Sequence, residues 1–546
     1  MAQALAPKAN NSWQGWSCAG MNLAVKRLIH SIFCLVCLIA SIGAGKKYDV
    51  VIRHGRVVDG AGNAAFFGDV AIQGDRIAAI GKIAGEGEKE IDATGLIVAP
   101  GFIDVHTHAD SLASRPAAEN FVRMGVTTVV AGNCGGSALD IANSLRTIEQ
   151  TKAAVNYATL IGHNTVRSKA MGGTFNRPPS SAEMQTMKSL VEKAMKDGAF
   201  GLSTGLIYLP GTFAQTEEII ELAKVASAYD GIYASHMRNE GAGIFGALDE
   251  LFRIAREARI RAEISHIKLA GERAWGQADK LLAAIEKARA DGLDITQDQY
   301  SYTASSTGLR QTIPEEAFEG GRAKFLERLN NPTEKAKIVS SLKQKLHNRG
   351  RDDYAYAVIA LCKHDPSLTG LNVVEATRKI RVDDSLDAQI ETILEIEKNG
   401  GASAVFHGMS EEDVQTIMRH PNTMVASDSG LLKFGEGIPH PRGYGNNARI
   451  LGRYVRELKV LRLEEAIRKM TSLPATTFRL KGRGQLREDN WGDIVVFDPA
   501  KVQDNATFKD PHHYPTGIIH VFVNGKPVLE NGELTNMRPG RVLRHK

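Results

Sequence analysis

Residues 98–110 read VAPGFIDVHTHAD, and this stretch decides how the rest of the chain is interpreted. An apolar run is broken by Pro100-Gly101, a second apolar run follows, and two histidines one residue apart end it. On a β-strand, residues two apart point to the same side, so His106 and His108 can bind one cation together. The stretch therefore predicts a buried strand with paired imidazoles at its end.

Seven further apolar runs follow the same pattern, each separated from the next by an amphipathic helical stretch. This alternation indicates βα units and a parallel sheet. The candidate strands read GFIDV, TTVVA, YATLIG, AFGLS, GIYAS, RAEIS, LDITQ and TMVAS. Eight such units predict an α/β protein with a TIM-like (β/α)8 barrel over residues 96–474, in which all strands end at one mouth.

The two ends of the chain alternate apolar and polar residues between Gly- and Asp-rich turns. YDVVIRHGRVVDG near the start and HVFVNGKPVLENGELT near the end are typical of antiparallel strands, and Asn524-Gly525 is a strong hairpin signal. We expect residues 46–95 and 475–546 to build one small β-sandwich from both chain ends.

Residues 313–413 interrupt the pattern between the seventh and eighth strands. The segment is mostly polar, has helical periodicity and is far longer than an ordinary βα connection. We expect a helical insertion that covers the mouth of the barrel. It contains Cys362 in the apolar run YAVIALCK, which favours a small buried side chain for that thiol.

Residues 1–45 differ from the rest of the chain. Lys26 and Arg27 precede LIHSIFCLVCLIASIGAG, which has the charged start, short apolar region and small-residue end of a secretory signal. The apolar run is shorter than the ~20 residues of a membrane-spanning helix. We expect export to the periplasm or the medium. The alternatives are a membrane anchor, or an upstream start codon on a cytoplasmic protein.

Composition narrows the choice of partners. The formal net charge of +5 comes from 67 basic and 62 acidic side chains without a run of like charge, so we expect no nucleic-acid partner. Beyond the leader only Cys134 and Cys362 remain of five cysteines, which excludes a disulfide framework. We expect no stable membrane partner beyond the leader, and the sequence leaves the oligomeric state open.

Metal-binding residue types follow four further strands. They are Cys134 in VVAGNCGG, His236 in YASHMRNE, His266 in ISHIK and Asp428 in VASDSG. Imidazole, thiolate and carboxylate ligands suit zinc, which polarises a carbonyl and lowers the pKa of bound water from 15.7 to about 7. Asp428 can act as general base and then protonate the departing nitrogen. The set predicts a zinc site that hydrolyses a stable amide.

The same motifs occur in the order of a known family. PGFIDVHTHAD, GNCG, GLSTGLIYLPG, SHMRNE, SHIK, SDSG and HPRGYG, followed by MTSLPA, WGDIVVFDP and VNGKPV, resemble the D-aminoacylase group (N-acyl-D-amino-acid deacylases) of the metal-dependent amidohydrolase superfamily. The likeness covers nearly the whole chain after residue 46. It implies zinc-dependent hydrolysis of small N-acyl-amino acids, of D configuration, to a free amino acid and a carboxylate by metal-bound hydroxide.

The resemblance also implies roles for single residues. One tight zinc would be held by Cys134, His236 and His266. A weaker second site would be formed by His106, His108 and Asp428, with Cys134 bridging. The substrate carboxylate would be held by Tyr208, Lys268, Arg442 and a tyrosine after the seventh strand, placed at Tyr300 with Tyr302 close by. The alternative for Arg442 is a solvated loop charge, and for Lys268 a surface lysine.

Two other functions stay open. A cyclic-amide hydrolase of the hydantoinase or dihydroorotase type would use a similar fold, but Cys134 in place of a bridging lysine and Arg442 in the HPR motif argue against it. A non-catalytic exported metal- or ligand-binding protein would keep the fold without turnover. Asp428 beside the whole ligand set favours an enzyme.

Overall fold

The computed structural model describes residues 47–545, so the predicted leader over residues 1–45 lies outside the described residues. Within the described range no helix is long and apolar enough to cross a membrane. Short parallel strands alternate with helices through the middle of the chain. The predicted α/β class is therefore confirmed.

Strands occur at all eight positions predicted for the parallel set, and we number them β1 to β8. They are β1 (Phe102–Asp104), β2 (Val126–Ala131), β3 (Asn156–Thr159, continued by Ile161–Gly162), β4 (Gly201–Gly205), β5 (Ile232–His236), β6 (Arg261–Ile264), β7 (Ile295–Gln299) and β8 (Thr423–Val425). Parallel pairing runs from β1 to β3, and from the second part of β3 to β8.

The carboxyl ends of β1 and β8 are also neighbours. The backbone N–H of Asp428 donates to the carbonyl of His106 at 2.9 Å. The short strand Ser429–Gly430 pairs in parallel with Thr107–His108. The residues that follow β1 and those that follow β8 therefore lie side by side.

Helices connect these strands. The α-helices are Glu119–Arg123, Ile141–Thr151, His163–Met171, Ser181–Asp197, Thr216–Ser227, Ile244–Ala258, Ala278–Ala290, Arg322–Asn330, Pro332–Asn348, Val373–Ile380, Leu386–Lys398, Glu411–Arg419, Arg442–Arg449, Leu463–Met470 and Ser472–Thr477. A π-helix, Ile450–Glu457, follows Arg442–Arg449. The 3-10 helices are Leu112–Ser114, Gly211–Phe213, Glu272–Ala274, Leu309–Thr312, Glu315–Phe318 and Pro366–Leu368.

The helix Ile244–Ala258 illustrates why these segments pack on the sheet. Ile244, Leu248, Leu251 and Ala255 recur at spacings of three and four, so they form one apolar face. All four are buried in the main hydrophobic core. The periodicity that predicts the helix is therefore the same feature that fixes which side of it faces the strands.

A nine-stranded sheet contains strands from both ends of the chain. Its strands are Lys47–Val57, Phe66–Gln73, Arg76–Gly81, Glu86–Asp92, Ile97–Pro100, Ile494–Phe497, Ile518–Val523, Lys526–Glu530 and Glu533–Leu534. Ile97–Pro100 pairs antiparallel with Ile494–Phe497 and so joins the two ends. Asn524 and Gly525 both have positive φ, as the predicted tight hairpin between Ile518–Val523 and Lys526–Glu530 requires.

The segment predicted as a helical insertion also contains strands. Ala357–Leu361 and Ser403–His407 form an antiparallel sheet with Ala304–Gly308. These strands and the surrounding helices enclose a separate apolar core, which includes the buried Cys362. The inserted segment is mainly helical, as expected, but it also contains two strands that the expectation did not include. Ala357–Leu361 pairs with Ser403–His407, which in turn pairs with a strand that lies before the segment.

Candidate metal centre and substrate cavity

The candidate ligands sit directly beyond strand ends, where the backbone turns sharply. Cys134, His266 and Asp428 have φ values of 53°, 38° and 50°, in the left-handed region that non-glycine residues rarely adopt. Such conformations cost about 1–3 kcal/mol each and persist only where the surroundings impose them. The three positions share an unfavourable conformation that turns their side chains toward one point.

The thiol of Cys134 lies at the centre of three imidazoles. Its Sγ is 3.3 Å from His106 Nε2, 3.7 Å from His236 Nδ1 and 3.5 Å from His266 Nε2. Burial raises the pKa of this thiol, but His106 and the other imidazoles outweigh burial and hold the pKa well below its usual range. Cys134 is therefore in the thiolate form that binds metal.

These distances fit a shared tetrahedral ion. With Zn–S of about 2.3 Å and Zn–N of about 2.0–2.1 Å, the sulfur-to-nitrogen edge of a tetrahedral site is about 3.6 Å. The buried Nε2 of His236 has no hydrogen-bond partner among the described residues, and the nearest carboxylate oxygen, on Glu240, is 3.5 Å away. This Nε2 is not the nitrogen that lies beside the Cys134 sulfur, which is Nδ1. Spacing and donor chemistry match the requirements of a metal site.

Three overlapping groups of side chains have ligand atoms within 4.8 Å of one another. They are His106, Cys134 and His266; His106, His108 and Asp428; and His236, Glu240 and His266. The structure thus brings all six sequence-predicted ligands into one cluster. His106 and His266 each belong to two of these groups, so neighbouring groups share ligand residues.

Asp428 connects the metal cluster with Arg442. Its Oδ1 is 3.2 Å from His108 Nε2, and its Oδ2 is 2.8 Å from Arg442 Nη1. Burial raises the pKa of this carboxyl, but Arg442 and His266 outweigh burial and hold it well below its usual range. The carboxylate is therefore ionised and able to accept a proton.

Glu240 is a cluster member that the sequence interpretation missed. Its Oε1 is 2.5 Å from Lys268 Nζ and 2.9 Å from His266 Nδ1. Burial raises the pKa of Glu240, but Lys268 and the imidazoles of His236 and His266 lower it by more, so the pKa lies well below its usual range. The signal was its position four residues after His236 in SHMRNE, but a glutamate at that spacing is common on solvated faces.

Asp298, at the end of β7, is a second carboxylate to which the sequence interpretation gave no specific role. Its Oδ2 is 3.2 Å from His106 Nδ1, and its Oδ1 accepts a hydrogen bond from the backbone N–H of His266 at 3.0 Å. It is fully buried. A carboxylate in this position fixes the tautomer and orientation of a metal-binding histidine.

Two of the four residues predicted to hold substrate, Tyr208 and Lys268, line a cavity beside the metal cluster, whereas Tyr300 and Arg442 are not among its lining residues. Tyr208, Lys268 and Asp428 line it together with His236 and His266. The cavity shares part of its wall, including Glu240, with a wider outer cavity of about 430 Å³. The inner cavity has a volume of about 70 Å³, so the larger outer cavity adjoins a small one directly beside the metal cluster.

Tyr300, rather than Tyr302, faces the cationic groups. Its ring centroid is 4.6 Å from the Arg442 guanidinium carbon and 5.7 Å from Lys268 Nζ, and its buried hydroxyl has no hydrogen-bond partner among the described residues. Tyr302 instead donates to Asp504 Oδ2 at 2.8 Å. The free hydroxyl favours Tyr300 as the tyrosine that contacts a ligand.

The strand Ala304–Gly308 belongs to the sheet of the inserted segment and also reaches the cavity. Ser305, Ser306 and Thr307 line it. His440 Nε2 lies 2.8 Å from the Ala304 carbonyl, and Arg442 Nη2 donates to the Ser306 carbonyl at 3.4 Å. The sheet that the inserted segment shares with this strand is therefore hydrogen-bonded to the start of the helix Arg442–Arg449.

His163, which ends β3, lies away from the metal cluster. Its Nε2 is 2.8 Å from Glu218 Oε1, and the second oxygen of Glu218 pairs with the buried Arg167. This pairing supports a structural role for His163.

Comparison with known proteins agrees with this geometry. Residues 89–529 match the Amidohydrolase family. D-aminoacylase of Alcaligenes xylosoxydans xylosoxydans is 37% identical over 523 residues, which cover 91% of this chain and 98% of that protein. A crystal structure of D-aminoacylase shares 35% identity at a TM-score of 0.78, covering 91% of this chain and all of that one.

A further solved structure adds a bound metal. N-acyl-D-glutamate deacylase from Bordetella bronchiseptica, complexed with zinc and a phosphonate inhibitor that mimics the tetrahedral intermediate, is 34% identical with a TM-score of 0.78. It also covers 91% of this chain and 100% of its own. With matches of this extent, the chain belongs to the amidohydrolase family, within its D-aminoacylase group.

Proposed function

We propose that this protein hydrolyses the amide bond of N-acyl-D-amino acids and releases a free D-amino acid and a carboxylic acid. The observation that carries the proposal is the convergence of the Cys134 thiolate, four histidines and Asp428, with Arg442 2.8 Å from Asp428. The relatives named D-aminoacylase and N-acyl-D-glutamate deacylase support the substrate class.

We propose zinc as the metal. Cys134, His236 and His266 would hold one ion tightly, and His106, His108 and Asp428 would hold a weaker second ion with Cys134 shared. Zinc supplies Lewis-acid chemistry, because it polarises a carbonyl and makes water more acidic. Asp298 orients His106, and Glu240 orients His266 through Nδ1.

Asp428 moves the protons of the reaction. Its ionised carboxylate takes a proton from the attacking water and later gives that proton to the departing amide nitrogen. Arg442 lies 2.8 Å from Oδ2 of this carboxylate, so Oδ1, which faces His108 and the metal cluster, is the oxygen that would exchange the proton. The same side chain thus serves as base and then as acid.

Tyr208, Lys268, Tyr300 and Arg442 would bind the carboxylate of the substrate. A planar guanidinium can bind a carboxylate through two parallel hydrogen bonds, which selects N-acyl-amino acids over simple amides. The unpartnered Tyr300 hydroxyl offers a further donor between the two cations. Each cation is balanced by a carboxylate of the protein, Glu240 or Asp428, so charge is not left uncompensated before substrate binds.

We propose that β1 to β8 close into a barrel, with the nine-stranded sheet as the accessory β-sandwich. The hydrogen bond from Asp428 to His106 and the pairing of Ser429–Gly430 with Thr107–His108 support closure between the last and first strands. We also propose export, on the composition of residues 1–45 alone.

A hydrolysis assay of the zinc-loaded protein with matched D and L N-acyl-amino acids tests the proposal. We expect release of free amino acid from the D series only, and no turnover after zinc is removed by a chelator. Hydrolysis of a hydantoin without hydrolysis of any N-acyl-amino acid would instead identify a cyclic-amide hydrolase.

A further inference from the structure

A second large cavity lies at the opposite end of the parallel strands. It has a volume of about 640 Å³, and its wall includes Phe200, just before β4, and Asp230, just before β5. The metal ligands follow the carboxyl ends of these strands. A five-residue strand spans about 15 Å, so this cavity is separated from the metal centre by the length of the sheet.

Basic side chains dominate the lining of this cavity, which we call the basic cavity. It is lined by Arg76, Arg479, Lys481, Arg483, Arg541 and Arg544. Asp230 is the one acidic side chain among its lining residues. These cations come from three distant parts of the sequence, so the fold, and not a local charged run, brings them together.

The positive charge is only partly neutralised. Arg541 and Arg76 share Asp75, at 2.6 Å and 3.5 Å, and Arg544 pairs with Glu149 at 2.6 Å. Arg479 pairs with Asp230, and the buried Arg483 pairs with Asp493. The six cations of the lining therefore meet four carboxylates. Lys481 has no hydrogen-bond or ion-pair partner among residues 47–545, and it is exposed. An anion entering the basic cavity would therefore meet cations that are not matched one for one by carboxylates.

Trp491 orders three of the guanidinium groups. The guanidinium carbons of Arg76, Arg541 and Arg483 lie 3.4, 4.4 and 4.9 Å from its ring centroid. Stacking of this kind holds the planar forks in place before a ligand arrives. Because the arginines already stack on the indole, it is not the partner for an aromatic base, and recognition falls to the charged groups.

We propose that the basic cavity binds a small ligand with adjacent phosphate groups, independently of the metal centre. Arginine forks match phosphate oxygens bidentately, and several fixed cations favour a ligand with more than one anionic group. A single tetrahedral anion would engage only part of the cavity. The ligand is recognised through its phosphates and not through an attached ring.

Isothermal titration of the zinc-loaded full chain with inorganic pyrophosphate at an ionic strength of about 0.15 M tests the assignment. We expect one-to-one binding, with sulfate about tenfold weaker or more because it offers one anionic group. The double variant Arg479→Ala/Lys481→Ala is expected to weaken pyrophosphate binding by about tenfold or more. Zinc content measured before and after the titration separates binding from chelation of the metal.

Lys188→Ala/Lys224→Ala is the matched control. These lysines line a cleft of about 650 Å³, where they pair with Glu221, and their removal changes net charge equally. The control should bind pyrophosphate within about twofold of the parent, since general electrostatics at this distance is screened. Amide hydrolysis should be unchanged in both variants, because neither pair contacts the metal cluster.

A single charge reversal at Lys481, which has no partner among the described residues, tests the same site if the double variant fails to fold. Lys481→Glu should weaken pyrophosphate binding without loss of thermal stability. Absence of saturable pyrophosphate binding, equal affinity for sulfate, or an equal loss in the lysine control would overturn the proposal.

Discussion

Asparagine in place of Asp428 removes the proton acceptor and keeps the shape of the side chain. The two carboxylate oxygens face different partners, with His108 Nε2 3.2 Å from Oδ1 and Arg442 Nη1 2.8 Å from Oδ2. Arginine only donates hydrogen bonds, so the amide oxygen of asparagine must turn toward Arg442. The amide NH2 group then faces the reacting atoms, where it cannot accept a proton.

The size of the effect follows from the role assigned to the carboxylate. Positioned general acid–base catalysis contributes about 10²–10⁴-fold to rate. At 1.36 kcal/mol per tenfold this is about 2.7–5.5 kcal/mol of activation free energy. We expect kcat of Asp428→Asn to fall by that factor, while KM changes less because Lys268 and Tyr300 remain in place.

Steady-state release of free amino acid and zinc content are to be measured on the same samples. Asp504→Asn is the matched control, since Asp504 is a buried aspartate 3.5 Å from Arg449 and bonded to Tyr302, not to a metal ligand. The control should keep its activity. If Asp428→Asn retains its zinc and more than about a tenth of the parent kcat, the acid–base assignment is wrong.

Three further outcomes are expected. Asp298→Asn should weaken zinc binding by about 10–100-fold in a chelator competition titration. The amide has one accepting oxygen, so it can accept from only one of the two donors, His106 Nδ1 or the backbone N–H of His266, and an unchanged zinc affinity would contradict the orienting role. Arg442→Lys should lower kcat/KM by about tenfold or more for an N-acyl-amino acid, and by much less for the corresponding amide that lacks the free carboxylate; equal losses would remove Arg442 from substrate binding. Burial lowers the pKa of Lys469 to about 7, against about 10.4 in the unfolded chain, so between these pH values the unfolded state binds more protons and the free energy of unfolding rises with pH by up to about 1.4 kcal/mol per pH unit. Urea unfolding of Lys469→Met at several pH values should lack this slope, and an equal slope in both proteins would refute the argument.

The metal cluster could be predicted because parallel strands bring their ends together. His106, Cys134, His236 and His266 each follow an apolar run, and that pattern alone is enough to expect a shared site. The positions of the strands could be predicted equally well, because eight apolar runs alternate with segments of helical periodicity.

The carboxylates that hold the ligands and cations were harder to predict. Glu240 and Asp298 are ordinary acidic residues in sequence, and their roles arise only when β5, β6 and β7 place them against His266 and His106. For the same reason the sequence does not reveal that the ammonium group of Lys268, expected to hold the substrate carboxylate, is paired with Glu240. Ion pairs between residues that are distant in sequence depend on how the strands pack, which the local sequence does not show.

The inserted segment shows a different limit. The apolar run at 357–361 was assigned to a buried helical region, but it pairs with Ser403–His407. A five-residue apolar run has no periodicity that separates strand from helix. Its partner strand lies over forty residues away, flanked by helices, so no local turn signal marks the pairing.

X-ray absorption at the zinc edge of the metal-loaded protein tests the central claim most directly. The account predicts a sulfur scatterer at about 2.3 Å from zinc with imidazole nitrogens at about 2.0–2.1 Å, and loss of the sulfur contribution in Cys134→Ser. A zinc spectrum that contains only nitrogen and oxygen neighbours, identical in the two proteins, would contradict it.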